Sequence, residues 1–213
     1  MQLVNFALVI LAENHNPSSF SPDLLLKMGL FRTDDPGFEL SSSPVITPPM
    51  AQMNFKNGIS INCDMNRLVF EDANPAHLPK FSPIPDMATK YVKQVPYVPY
   101  KAIGINFTNV LHRPDVLPPY RIEIFSNDLS TFLIEKKSDT GVRMRFQEDT
   151  FMLSVDIQYG ELKAVPYWRF NFNFHKDIKD SDILEIINGI REYKNLEKAS
   201  ESYSKSFLKM MGM

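Results

Sequence analysis

Residues 142–175 contain the clearest alternation of hydrophobic and polar positions in the chain. Because successive side chains of a strand point to opposite faces, this period of two predicts half-buried β-strands. Three alternating runs in tandem predict an antiparallel meander. Its aromatic face needs a cover, since stacked aromatic side chains are unfavourable in water. The apolar positions are Val142, Met144 and Phe146, then Phe151, Leu153, Val155, Ile157 and Tyr159, and finally Trp168, Phe170, Phe172 and Phe174.

A long C-terminal helix over residues 181–211 is the predicted cover. Ser181 is a suitable N-cap, and Asp182 would lie in the first turn, where the helix dipole favours negative charge. Gly189 would lie inside the helix at a cost of about 1 kcal/mol relative to alanine. Apolar residues recur at spacings of three and four, at Ile183, Ile186, Ile187, Ile190, Tyr193 and Leu196, and again at Tyr203, Phe207 and Met210.

The rest of the chain predicts further strands and two shorter helices. The nearly continuous apolar run at 3–12 predicts a central strand. Ser21, Pro22 and Gly29 mark the start and end of a short helix. Asn57-Gly58 predicts a hairpin between strands at 50–56 and 59–64. The remaining predictions are strands at 67–71, 100–110, 120–125 and 129–136, and a helix that begins near Ser82 or Pro83 and ends before Pro96.

These elements predict an α+β fold. It consists of mainly antiparallel, curved sheet packed against the long C-terminal helix, with two shorter helices. We expect residues 1–213 to form a single domain. The order of predicted strands and helices partly repeats, which is also compatible with two similar α+β halves, about 1–75 and 80–213, that share a core.

Composition excludes several classes of protein. A net charge of −2 offers no broad attraction for nucleic acid or an acidic membrane. The apolar run at the N-terminus lacks a basic leader and is too short to span a bilayer, which favours a cytoplasmic protein without a membrane segment. Cys63 is the only cysteine, so neither an internal disulfide nor a cysteine-cluster metal site can form. Its strand face, shared with Ile59 and Ile61, points to an inert buried thiol.

Motifs for catalysis are missing from the sequence. It contains no phosphate-binding glycine loop, no nucleophile elbow and no H-E-x-x-H. Its histidines, His15, His77, His112 and His175, are isolated along the chain, so we predict no metal, no cofactor and no catalytic residue. The segment from Asn14 to Ser19 has the composition of an active-site loop and of a simple Asx turn, and the turn is the favoured interpretation.

The polar side of the meander is the candidate binding site. Its members are Arg143, Arg145, Asp156, Arg169, Asn171, Asn173 and His175. Such a surface could hold a polar or anionic ligand or dock a partner. A solvated sheet face with cross-strand ion pairs has the same composition.

The leading functional hypothesis is a non-enzymatic binding or assembly protein that uses its sheet surfaces or its C-terminal helix. Phe207, Met210, Met211 and Met213 suggest an apolar helix end for contact with a protein partner or for self-association. The alternative is a ligand-binding or enzymatic pocket that uses Arg143, Arg145, Arg169 and His175. Local nucleic-acid binding by the same arginines is the least favoured hypothesis, and we expect no nucleic-acid partner.

Overall fold

A single antiparallel sheet dominates the structure. The structure, a computed structural model, describes residues 2–32, 36–77, 81–112, 141–148, 151–162, 165–178, 183–189 and 193–210. In this part of the chain the sheet has nine strands. They are β1 (Gln2–Ala12), β2 (Val45–Ile46), β3 (Met50–Asn54), β4 (Ile59–Asp64), β5 (Arg67–Asp72), β6 (Tyr100–His112), β7 (Gly141–Glu148), β8 (Phe151–Leu162) and β9 (Val165–Asp177).

The strand order is β2-β3-β4-β5-β1-β6-β9-β8-β7. β1 lies between β5 and β6, which confirms the prediction of a central first strand and explains its apolar composition. The register of β1 on β6 shifts between Leu3 and Asn5 and again between Leu11 and Ala12. Gly104 lies outside both shifts, and a Cβ there would meet the Cβ of Val9 at 3.5 Å. This is an ordinary van der Waals distance, so no close approach of the neighbouring strands requires glycine at this position.

The meander predicted from residues 142–175 is confirmed. β7 pairs with β8 and β8 pairs with β9, both antiparallel, with Val155 directly between Met144 and Phe172. The hairpin at Asn57-Gly58 is confirmed as well, since it joins β3 to β4 and Gly58 has a φ of 88°. Local patterning was sufficient for these elements because strand alternation and a short turn that contains glycine are both encoded by neighbouring residues.

Four α-helices are found in the described residues. They are α1 (Pro22–Lys27), α2 (Ile84–Gln94), α3 (Ile183–Gly189) and α4 (Tyr193–Met210). Ser21 caps α1 by accepting a hydrogen bond from the amide of Leu24 at 3.2 Å, as its position before Pro22 predicts. Single 3₁₀ turns at Pro17–Ser19 and Pro36–Phe38 lie in the connections.

The helices cover one face of the sheet. Leu25 of α1, Tyr91 of α2 and Ile187 of α3 belong to the same hydrophobic core as the apolar face of the strands. Phe6 and Phe107 stack at 5.3 Å in the centre of this core. Its fully buried aromatic residues are Phe6, Phe70, Phe107, Phe170, Phe172 and Phe174.

The predicted long C-terminal helix over 181–211 is wrong, and so is the fold class built on it. The protein is mostly sheet, and the described residues form two helices, α3 and α4, instead of one. Gly189, which was expected inside the helix, is the last residue of α3. Because glycine is unfavourable inside a helix and common at helix ends, this position suits the end of α3.

Three predictions fall on residues outside the described part. The strands at 120–125 and 129–136 and the cap at Ser181 lie there. The two-halves hypothesis stays a prediction, although the topology has a repeat. β1 is followed by a meander whose last strand, β5, pairs with β1, and β6 is followed by one whose last strand, β9, pairs with β6. No helix in the described residues is long and apolar enough to cross a membrane.

Candidate functional site

The sheet face opposite the helices carries a continuous row of polar side chains, and we name this side of the sheet the polar face. Direct cross-strand pairing links one residue from each of eight strands. At the usual strand spacing the row extends about 34 Å. Ala7 is its only apolar member. The row runs Asn54, Ser60, Glu71, Ala7, Asn106, Asn173, Ser154 and Arg145.

The residues predicted as a site all lie on the polar face, on β7, β8 and β9. Arg143 pairs directly with Asp156, and its Nε and Nη2 donate to the two carboxylate oxygens at 2.5 and 3.4 Å. This contact raises the pKa of Arg143 further above its ordinary value. Asp156 lies beside Asn171, whose Oδ1 accepts a hydrogen bond from Thr108 at 3.1 Å. These two bonded pairs lie side by side across β7, β8, β9 and β6.

The other predicted residues do not belong to these two pairs. Arg169 lies opposite Gln158, and Arg145 lies opposite Ser154. His175 contacts Asp177 on its own strand, with 3.3 Å between Nε2 and Oδ1. Arg169 and His175 are six residues apart on β9, a separation of about 20 Å. One small ligand cannot contact both, so the face offers separate polar contacts and no single pocket for all of the predicted residues.

Gly104 of β6 lies on the polar face. Val9 of β1 and His175 of β9 flank this buried glycine. The Oδ1 atom of Asn173 lies 3.6 Å from the position that a Cβ of Gly104 would occupy. That oxygen is buried and accepts no hydrogen bond from the described residues. Because a buried acceptor without a donor is unfavourable, Asn173 is the residue here most suited to a ligand that donates a hydrogen bond.

A second polar cluster lies inside the core and joins two residues that are distant in sequence. Nδ1 of His15 lies 3.0 Å from the hydroxyl of Tyr91, and both residues are buried. Burial lowers the pKa of His15 and raises the pKa of the Tyr91 hydroxyl. Burial also raises the pKa of Cys63 to about 12, so the thiol stays protonated and unreactive. No local pattern in the sequence predicts the contact between His15 and Tyr91.

The segment from Asn14 to Ser19 is a turn, which is the favoured interpretation of its composition. Asn14 has a φ of 60°, which asparagine tolerates well. Ser18 donates to the side chain of Asn16 at 2.7 Å, and Ser19 donates to its carbonyl at 2.8 Å. His15 points into the core, so these residues do not form an exposed catalytic group.

A buried carboxylate with a histidine partner was missed by the sequence analysis. Asp72 is fully buried at the end of β5 and accepts a hydrogen bond from the amide of Asn74 at 2.9 Å. Its Oδ2 lies 3.4 Å from Nδ1 of the half-buried His77. The spacing D-x-N-x-x-H could have indicated an Asx turn, because Asp and Asn commonly bond the backbone two residues ahead. Hydrogen bonds from Asn74, to Asp72 and to the carbonyl of Asn57, hold the loop after β5.

The described residues contain no group of three His, Cys, Asp or Glu side chains that could hold a metal ion. Met211 and Met213 of the predicted apolar tail lie outside the described residues. The exposed described positions of α4 are polar and include Lys198, Lys205 and Lys209. The chain matches no protein-family model and none of the curated proteins with which it was compared.

Proposed function

We propose that this protein is a non-enzymatic binding protein that docks a partner protein on its sheet. This proposal rests on the polar row that runs from Asn54 to Arg145. It presents hydrogen-bonding side chains on seven of its eight strands, on the face that the described helices leave uncovered. Open surfaces of this width suit protein contacts, whereas small ligands need enclosure.

The distribution of charge supports the same role. Arg143 is neutralised by Asp156, and Asn5 donates to Glu71 across the sheet. Paired charges and amides give specificity at a protein interface because each must find a complementary group on the partner. The Lys and Ser residues exposed on α4 make this helix a weaker candidate surface than the sheet.

A second candidate function is binding of a small polar ligand at Gly104. It is favoured by the buried, unsatisfied Oδ1 of Asn173. Such a site would use Asn173 and His175 but not Arg169, which lies too far along β9. A metabolite that raises the melting temperature of the natural protein and not of Asn173→Ala would support it.

The proposed function can be tested by blocking the centre of the polar face. Asn106→Lys places a long cationic side chain in the middle of the polar row. Gln94→Lys, at the exposed end of α2, adds the same charge on the helical side and serves as the matched control. Quantitative affinity capture from an extract of the source cells should enrich a partner with the natural protein and with Gln94→Lys. Capture with Asn106→Lys should fall about tenfold or more.

Thermal melting must first show that both variants are folded. A partner captured equally by all three proteins would place the interface away from the polar face and contradict the proposal. Truncation of residues 199–213 is a poorer experiment, because it also removes Tyr203, which contacts the core.

A further inference from the structure

The chain contains two Asn-Gly pairs, Asn57-Gly58 and Asn188-Gly189. An asparagine in this context can lose its side-chain amide without an enzyme, because the backbone nitrogen of the next residue can attack the side-chain carbonyl carbon. Glycine has no Cβ beside that nitrogen, so it obstructs the attack least. Asn57-Gly58 lies in the turn between β3 and β4, whereas Asn188-Gly189 ends α3. Because a helix fixes its own backbone, the turn is the pair whose reactivity depends on neighbouring elements.

Hydrogen bonds among the described residues hold the turn at Asn57-Gly58. The amide of Gly58, which contains the attacking nitrogen, donates to the carbonyl of Phe55 at 3.1 Å. Oδ1 of Asn57 accepts from the amide of Ile59 at 3.1 Å, and the amide of Asn57 donates to the carbonyl of Gly37 at 3.0 Å. The attack requires removal of the Gly58 amide proton and freedom of the Asn57 torsions. The folded turn restricts both, so it opposes the reaction.

The loop after β5, residues 73–77, ties this turn to the rest of the sheet. Nδ2 of Asn74 donates at 2.9 Å to the carbonyl of Asn57, which belongs to the same peptide group as the attacking nitrogen. The amide of Ala73 donates to the carbonyl of Gly58 at 3.0 Å. Asn74 is itself held, since its backbone amide donates to the buried carboxylate of Asp72 at 2.9 Å. The loop must therefore release the turn before the peptide between Asn57 and Gly58 can rotate.

We propose that Asn57 is a site of spontaneous deamidation, and that Asn74 controls its rate by holding the peptide between Asn57 and Gly58. In the reaction the nitrogen of Gly58 gives up its proton and forms a bond to Cγ of Asn57, and the C–N bond of the side-chain amide breaks. Ammonia leaves, and a cyclic imide remains. Water then opens the ring to aspartate or isoaspartate, so the reaction needs no oxidant and no enzyme.

The modification would change the hairpin irreversibly. Both products add a negative charge to the turn, and isoaspartate also adds a carbon atom to the main chain. A longer main chain at position 57 does not fit the register that pairs Met53 with Ile61 and Asn54 with Ser60. Asn54 and Ser60 belong to the polar row, so isoaspartate would also disturb that end of the polar face. The inference itself does not depend on the proposed binding function.

Peptide mapping by mass spectrometry, after incubation at mildly alkaline pH, measures deamidation at each asparagine separately. In the folded natural protein the reaction at Asn57 should be at least about tenfold slower than in urea, because it requires local opening. Asn74→Ala should accelerate it about two- to tenfold, the factor for loss of one hydrogen bond. This substitution keeps the Cβ that faces Gly58 and removes the amide that bonds Asn57. Asn74→Asp also keeps the acceptor for the amide of Ala76 and should likewise accelerate the reaction.

Tyr203→Ala is the matched control, because it removes aromatic contacts of the other meander and leaves the β3–β4 hairpin unchanged. It should not alter the rate at Asn57, and Asn74→Ala should not alter the rate at Asn188 in the same sample. Equal acceleration at Asn57 by Asn74→Ala and Tyr203→Ala would assign the reaction to global unfolding and overturn the role of Asn74. Equal rates at Asn57 in the folded protein and in urea would show that the turn gives no protection, which would also overturn the inference.

Discussion

Tyr203 of α4 lies parallel to Phe146 of the edge strand β7, with ring centroids 6.2 Å apart and ring planes 10° apart. The same tyrosine stacks on Phe172 of β9 at 6.4 Å. Tyr203 therefore spans the meander from its edge strand to its innermost strand. Among the described residues, Tyr203 provides a contact by which α4 packs on β7 and β9, so its replacement should disturb the meander.

Replacement of Tyr203 by alanine should lower the free energy of unfolding by about 1–3 kcal/mol, because it removes two aromatic contacts and leaves a gap above the sheet. Amide exchange in β7 should accelerate more than exchange in β1. Tyr97→Ala is the control, since Tyr97 is 80% exposed and its loss should change stability by less than about 0.5 kcal/mol. Equal destabilisation by both variants would show that Tyr203 does not anchor the meander.

Features encoded by neighbouring residues could be predicted from the sequence. The alternation in β7, β8 and β9, the cap at Ser21 and the turn at Gly58 each depend on a few adjacent positions. The length of the C-terminal helix could not be predicted, because glycine occurs both inside a helix and at its end, and the sequence pattern alone does not distinguish the two. What each helix buries depends on the tertiary structure.

The candidate site shows the same division. The alternation of polar and apolar positions correctly placed Arg143, Asp156 and Asn171 on one face. Which of them are in contact depends on the register of the strands, and the register depends on pairing between segments that are distant in sequence. The continuation of the polar face through β6, β1 and β5 had no local signal. The contact between His15 and Tyr91 joins residues 76 positions apart and could not be inferred from spacing.

Acid should destabilise the protein through His15. Burial lowers the pKa of His15 in the folded state from its ordinary value of 6.5, so the unfolded chain binds a proton that the folded chain does not. The free energy of unfolding is therefore highest above pH 6.5. It declines as the pH falls from 6.5 to the lower pKa of the folded state, and below that pKa the decline from His15 stops. One such proton changes the free energy of unfolding by at most about 1.4 kcal/mol per pH unit.

Denaturant unfolding between pH 8 and pH 5 measures this slope. His15→Gln should flatten the decline below pH 6.5, because glutamine does not titrate. His112→Gln, at the exposed end of β6, is the control and should retain the decline. A decline that persists unchanged in His15→Gln would assign it to other groups.

The thiol of Cys63 should be inert in the folded protein. Its pKa of about 12, against an ordinary value of 9.0, leaves roughly a thousandfold less thiolate at pH 8, and its side chain is buried. Reaction with a disulfide reagent should therefore be at least about a thousandfold slower than in denaturant. Cys63→Ala should show no reaction in either condition. Rapid labelling of the folded protein would contradict the buried position of β4.

Gly58 and Gly29 provide a matched test of how tightly the β3–β4 hairpin packs. Both have positive φ, 88° and 67°, so alanine at either position should cost about 1 kcal/mol in backbone strain. Only at Gly58 would the new Cβ meet a neighbour, the Cβ of Asn74 at 3.1 Å and its amide nitrogen at 3.2 Å. At Gly29 nothing lies within 4 Å.

Gly58→Ala should therefore lower the free energy of unfolding by at least about 1 kcal/mol more than Gly29→Ala, as measured by urea denaturation. The additional cost arises because Asn74 cannot move freely. Its amide donates to Asp72 at 2.9 Å, and its side chain donates to the carbonyl of Asn57 at 2.9 Å. Equal losses in the two variants would show that the loop after β5 yields, and that the buried carboxylate of Asp72 does not fix it against the hairpin.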